Sequence, residues 1–341
     1  YDFYNMMDVL VDNNPESDYF GKIYIQMALN GGSDGVTARS RAQKAGLFIY
    51  DQELNELNPT SNVGIMPTLP SGYTLGSGGR DKFHRLEIDP KTGNLVYCYN
   101  IANFPAVFSI NRANPTGLVT NLIDGISGFT RTCAHCFDAE GTLYVMDLAS
   151  SKGTIYKIKD GVKTKWTTTD DKFVNASMTM SSDGMGGLWV AQNRGQLDNG
   201  DIRYYQLVHV TKDGTFDWVV NYDTPHGFTG SSVRGALAYD AERHILAQGR
   251  NGAVELFNVT YNASGVPTLT KFAVTPSVGN NIDGLHFDYA GDLYVVNSSN
   301  EKFQKFVVPT NNNTCTVPAK KAQVITLVSA TPEHTVTISV N

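Results

Sequence analysis

Short runs of alternating apolar and polar residues fill this chain, and clusters of Gly, Asn, Asp and Pro separate them. A period of two puts one side of a strand in the core and the other in water, so the pattern predicts an all-β protein. Helix-friendly sequence is confined to residues 37–45, which end at Gly46 and read as an insertion. No apolar run approaches the roughly 20 residues of a membrane-spanning helix.

The alternation itself recurs. An apolar strand ends in Asp, a short turn containing Gly follows, and an apolar-aromatic strand begins. The copies are Leu86-Glu-Ile-Asp89 with Gly93 and Leu95-Val-Tyr97, and Cys136-Phe-Asp138 with Gly141 and Leu143-Tyr-Val145. Met180-Ser-Ser-Asp183 with Gly187 and Leu188-Trp-Val190 follows, then Ala238-Tyr-Asp240 with Ile245-Leu246, where Gly is lost. The last is His286-Phe-Asp288 with Gly291 and Leu293-Tyr-Val295, and a degenerate copy, Val9-Leu-Val-Asp12 with Gly21, opens the chain. From Asp89 onward the anchors stand 45 to 57 residues apart. A third strand follows each pair, starting near Gly46, Ala106, Thr154, Gln206, Ala253 and Lys302, and a weaker fourth leads onward. Four strands per unit of 40 to 50 residues predict a six-bladed β-propeller with four-stranded blades. The approximate blades are 1–70, 80–125, 129–170, 174–224, 232–276 and 280–341 of one domain, residues 1–341. The apolar segments 322–328 and 334–340 are candidates to close the ring.

The motif apolar-Asp-x-x-Gly-x-Leu-Tyr/Trp-Val resembles NHL-repeat propellers and the six-bladed group that includes gluconolactonases, strictosidine-synthase-like proteins and virginiamycin B lyase. The end of the last blade, around residues 297–319, is similar to surface lipoproteins of Bacteroidetes, which often belong to outer-membrane nutrient-uptake loci. The resemblance spans residues 9 to about 310. It implies the fold and leaves the activity open, because this group includes enzymes, binders and assembly parts.

Composition narrows the classes. Charged residues are 18% of the chain, aromatics 11%, and the net charge is −6. That is too aromatic for disorder and offers no basic stripe for nucleic acid. The 17 Tyr, 32 Gly and 28 Asn suit both tight turns and an extracytoplasmic protein, at the cell surface, anchored to the outer membrane or periplasmic. The start at Tyr1 without Met leads us to expect a processed or trimmed N-terminus, with an upstream lipid anchor compatible with it. Cys133 and Cys136 flank Ala and His135; without a second such pair they read as small buried side chains.

Residues just before each innermost strand should line one mouth of the channel. They are His84, Arg131, Asn175, Arg234 and Asp283, with His135 and His286 deeper on the same strands. The aromatic and amide-rich loops nominate Tyr99, Phe104, Arg194, Tyr204 and Tyr205 for glycan contact, because sugar faces stack on rings and their hydroxyls need fixed partners. The leading expectation is a non-catalytic binding or accessory subunit that takes a glycan or docks onto an outer-membrane uptake complex, with no cofactor. The alternative, a metal-dependent lactonase-like hydrolase or a lyase, follows from the gluconolactonase resemblance. It would place Ca²⁺ or Mg²⁺ on Asp283 and Asn175, although Ala176 stands where that family has Gly and its Glu ligand has no good match near Asp8. A lyase would use His84 or His135 as general base and Arg131 or Arg234 as carboxylate partner. An Arg234–Asp283 ion pair is the bland reading of the same residues.

Overall fold

The structure is a computed structural model, described here for residues 6–27, 46–61, 63–73, 83–99, 104–149, 152–166, 173–174, 178–196, 202–221, 236–250, 252–279, 282–297 and 302–308. These residues hold 23 strands in six antiparallel sheets and no helix. Blade one is β1 (Met6–Val11), β2 (Ile23–Met27) and β3 (Gly46–Tyr50). Blade two is β4 (Phe83–Ile88), β5 (Leu95–Tyr99), β6 (Ala106–Ile110) and β7 (Thr120–Asn121). Blade three is β8 (Thr132–Phe137), β9 (Leu143–Ala149), β10 (Lys152–Lys159) and β11 (Val162–Lys165), with β12 (Phe173–Val174) pairing the start of β10. Blade four is β13 (Met178–Ser182), β14 (Leu188–Gln196), β15 (Ile202–Val210) and β16 (Phe216–Asn221). Blade five is β17 (Leu237–Asp240), β18 (Ile245–Arg250), β19 (Ala253–Tyr261) and β20 (Pro267–Val274); blade six is β21 (Ile282–Phe287), β22 (Leu293–Asn297) and β23 (Lys302–Phe306).

Each blade's first strand touches the first strand of the next, and β21 touches β1, so the six sheets close into a ring. The fold is an all-β, six-bladed propeller. One apolar cluster fills each seam, because alternation gives every blade two apolar faces. Tyr24, Tyr97 and Phe108 pack between blades one and two, and fully buried Trp189 packs with Leu207 and Leu246 between four and five. The closing seam joins Met6, Val9 and Ile25 to Tyr294 and Val296. There the β1 backbone comes so near Gly284 that a Cβ would lie 2.7 Å from the Asp8 Cα, so this position admits no side chain. The insertion at 37–45 and the candidate closing segments 322–328 and 334–340 lie outside the described residues.

The recurring Asp does the same work in each blade. One oxygen takes turn amides, as in Asp288 with the Ala290 and Asp292 amides at 2.9 Å. The other binds a neighbour: Thr92 Oγ1 at Asp89 (2.7 Å), Arg243 at Asp240 (2.8 Å) and Lys305 at Asp288 (3.1 Å). Burying a carboxylate this way is tolerated because its acceptor sites are filled. Where blade five lacks Gly, His244 takes the left-handed backbone (φ 53°) that Gly141 takes in blade three (φ 76°).

Candidate functional site

The first strands line the channel, and four of the six carry a β-bulge near their start. The irregularities fall between Met6 and Asp8, His84 and Leu86, Thr132 and Ala134, and Ile282 and Gly284. A bulge inserts one residue against the partner strand and re-aims side chains. In β4 the inserted residue is Arg85, held at φ 61°, and it is buried. A bulky residue there stores strain of about 1–2 kcal/mol, which marks the position as one fixed by its surroundings.

Arg85 Nη1 donates to the Asp283 carbonyl across the channel. The Asp8 carboxylate accepts the Leu86 amide (2.8 Å) and the Val9 amide (2.9 Å), which ties blade one to blade two. Burial pushes Asp8 up to about 6, against the pull of Arg85 and both amides. Glu87 is pushed up to about 8, by burial and then by Asp8. Both groups therefore hold protons well above the usual carboxyl range.

These residues border a cavity of about 320 Å³ that runs along the channel to a rim of turns. Asp8, Arg85 and Glu87 lie at one side, Thr179, Ser181 and Ser182 of β13 at another, and Tyr239 and Phe287 add apolar surface. The rim is formed by Asn13, residues 240–243 and residues 288–289. Thr179 is 7% exposed and its hydroxyl has no hydrogen-bond partner among the described residues. A hydroxyl buried in this state costs about 1–3 kcal/mol, so a polar ligand that pairs with it gains that much.

The expected site residues are placed as follows. Asp283 sits on the β21 bulge, 1% exposed, with Arg85 on its carbonyl. His286 borders the cavity; burial holds its pKa down at about 4, and its Nδ1 accepts the Val11 amide at 3.3 Å. His135 is fully buried between blades two and three, with Nδ1 3.2 Å from Cys98 Sγ. Burial holds its pKa at about 3 and pushes the Cys98 thiol up, so both are neutral at pH 7. The free thiols Cys98, Cys133 and Cys136 are all buried. Arg131 precedes β8, where Asp147 Oδ1 accepts its backbone amide at 2.7 Å. His84 lies on β4 opposite Cys98, and Arg194 lies opposite Tyr204 in the β14–β15 ladder, next to Tyr205; nothing further is described of these side chains. Asn175 and Arg234 lie outside the described residues.

Tyr99 is core, edge-on to Tyr73 and Phe108 at 5.5 and 5.6 Å. Phe104 is 48% exposed, and it borders a second hollow of about 350 Å³ with Tyr73 and Asn121. Asp8, Arg85, Glu87 and Thr179 were not among the sequence candidates; the bulges beside the first three are invisible to an alternation count, and Thr179 lies on β13, whose register is unbroken.

A divalent cation on Asp283 and Asn175 needs several oxygen donors in reach. Among the described residues no three His, Cys, Asp or Glu side chains are grouped to hold a metal ion, and the Arg85 guanidinium already places positive charge beside Asp283. Asn175, the other half of the expected pair, lies outside the described residues.

No protein-family model matches the chain, and no curated protein matches it. Solved structures share its fold. An auxiliary nutrient binding protein from Bacteroides thetaiotaomicron gives a TM-score of 0.52 at 9% identity, over 89% of this chain and 69% of that one. One from Bacteroides ovatus gives 0.51 at 11% identity over the same shares, 89% and 69%. A protein assigned as a gluconolactonase gives 0.50 at 11% identity over 88% of each chain. At these identities the likeness is one of fold. Among the described residues no helix is long and apolar enough to cross a membrane.

Proposed function

We propose that this chain is a non-catalytic binding propeller that takes a small glycan into its channel cavity, as an accessory in extracytoplasmic nutrient capture. The observation that carries the reading is the cavity lining. Hydroxyls, carboxyls and the arginines Arg85 and Arg243 stand beside aromatic surface around about 320 Å³. This mixture suits a ring with two apolar faces and a belt of hydroxyls. The volume is at the small end for ligand pockets, which favours one sugar unit over a long chain. Two of the neighbours that share the fold are described as auxiliary nutrient binding proteins, and this is in keeping with capture rather than turnover. It is also the basis for placing the chain outside the cytoplasm, beside an envelope complex.

Calorimetric titration with a panel of mono- and disaccharides tests the reading. The expected result is saturable one-to-one binding by at least one sugar. Turnover of a lactone with a stoichiometric divalent metal would replace this reading with the hydrolase, whose Asp element at Asp283-Gly284 is present on the channel.

A further inference from the structure

The Asp8 carboxyl feels the Arg85 guanidinium and the Asp283 carboxyl, and Glu87 feels Asp8. Glu87 sits in this desolvated acidic surrounding, which favours its protonated form while the cavity is empty. Asp8 has its oxygens on the Leu86 and Val9 amides. Glu87 borders the open cavity, and the charge acting on it is that of Asp8. The other elements that border the cavity bring one further cation, Arg243 on the rim. The β8 strand presents the neutral thiol of Cys136, and β21 presents His286, held neutral by burial. From β17, Asp240 is already paired with Arg243, and β13 brings only uncharged groups, the hydroxyls of Thr179, Ser181 and Ser182 among them. The cavity therefore pairs acid on one wall with the unpartnered Thr179 hydroxyl and its serine neighbours on another.

We infer that the cavity takes an amino sugar, its ammonium seated against Glu87 and its hydroxyls on Thr179 and the neighbouring serines. This rests on the glycan-binding reading and names the class of glycan. The ammonium takes the place of the Glu87 proton, which leaves to solvent while the ligand keeps its own. A charged hydrogen bond of this kind is about twice as strong as a neutral one. A bare divalent ion would face the positive charge of Arg85, whereas an ammonium carried on a sugar ring uses both walls.

The probes are glucosamine, glucose and N-acetylglucosamine, titrated calorimetrically at pH 7 in phosphate and in MOPS, whose different ionisation heats count the protons released. Glucosamine is expected to bind about tenfold more tightly than the two uncharged sugars and to release about one proton. Glu87→Gln is expected to narrow the preference to less than about twofold and to abolish the release. The wild-type proton count stands even if that variant folds poorly. Equal affinity for glucosamine and glucose, or binding without proton release, overturns the inference and leaves glycan binding intact. Absence of binding by all three overturns the inference, and absence of binding across the wider panel of mono- and disaccharides overturns the glycan-binding reading as well. Calcium alone displacing the Glu87 proton also overturns the inference, in favour of a metal site.

Discussion

Arg85 reaches the main-chain carbonyl of Asp283, a residue 198 positions further along the chain, and so ties the second blade to the last one across the channel. The contact spans blade one, whose Asp8 takes the amide of Leu86 beside it. Three blades are thus joined on the channel side by one strained residue and one carboxylate, where bare backbone ladders would leave their inner strands linked by packing alone.

Removing the guanidinium should be costly. Arg85→Met strands the buried Asp8 carboxylate and the Asp283 carbonyl, and should destabilise the protein by about 3 kcal/mol. Arg85→Asn loses the charge as well but tolerates the left-handed backbone, so it should fall short of the Met variant's loss by about 1 kcal/mol. Urea unfolding of the two variants measures both numbers. Equal losses would assign the whole effect to charge.

Glu87 makes stability depend on pH in a defined direction. Its folded pKa of about 8 lies above its unfolded value, so the native state binds the extra proton between about pH 4.5 and 8. Stability should therefore fall as pH rises through that window, by about 5 kcal/mol from this group. Glu87→Gln should flatten the fall and be the more stable protein at pH 9. Unfolding midpoints from pH 5 to 9 check it.

His209 contributes a second pH dependence of the same sign. Its Nδ1 lies 2.6 Å from Asp217 and its Nε2 3.0 Å from the anchor Asp183. Burial pulls its pKa down, but the two carboxylates outweigh burial and leave it raised. For Asp183, burial pushes up, and His209 with two turn amides outweighs it and holds the group low. The His209 contribution is full below about pH 6.5 and is lost as pH rises through the folded pKa; that of Asp183 is lost as pH falls below about 4. In a Glu87→Gln background, stability should still fall as pH rises above about 6.5 with wild-type His209, and His209→Gln should remove that fall.

The seam between blades one and two offers a test of the anchor itself. Arg112 pairs with buried Asp12, lies 3.2 Å from Ser17 Oγ and stacks over Tyr19 at 4.4 Å. Arg112→Ala leaves the Asp12 charge without its partner, and should cost about 3 kcal/mol. Asp12→Asn added to it should recover part of that loss, and a double-mutant cycle of denaturation measurements reads the coupling.

Much of the fold was legible because its determinants are local. Asp138 and Gly141 need only their own turn, and Tyr144 or Trp189 need only the face that alternation assigns, so six repeats declared six blades. The site was less legible because its determinants are not local. Asp283 was found from its place before a strand, yet Arg85, one residue after the nominated His84, was missed: only the bulge at that point turns it into the channel. Asp8 and Glu87 lie far apart in sequence and meet because the ring brings β1 beside β4. Tyr99 read as a loop aromatic, but its strand buries it against Phe108. A period-two count carries none of this, since a one-residue insertion in the pairing exchanges which side chains face the channel.

Thr179 separates binding from stability most directly. Its hydroxyl is buried without a partner among the described residues, which costs the empty protein and serves only a ligand. Thr179→Val keeps the shape and removes the polar atom. It should stabilise the empty protein by about 1 kcal/mol and weaken glucosamine binding by about tenfold. Melting curves without ligand and titration with glucosamine give the two values. A variant that loses stability would show that Thr179 holds the fold, and a variant that gains stability but binds unchanged would place the sugar elsewhere in the channel.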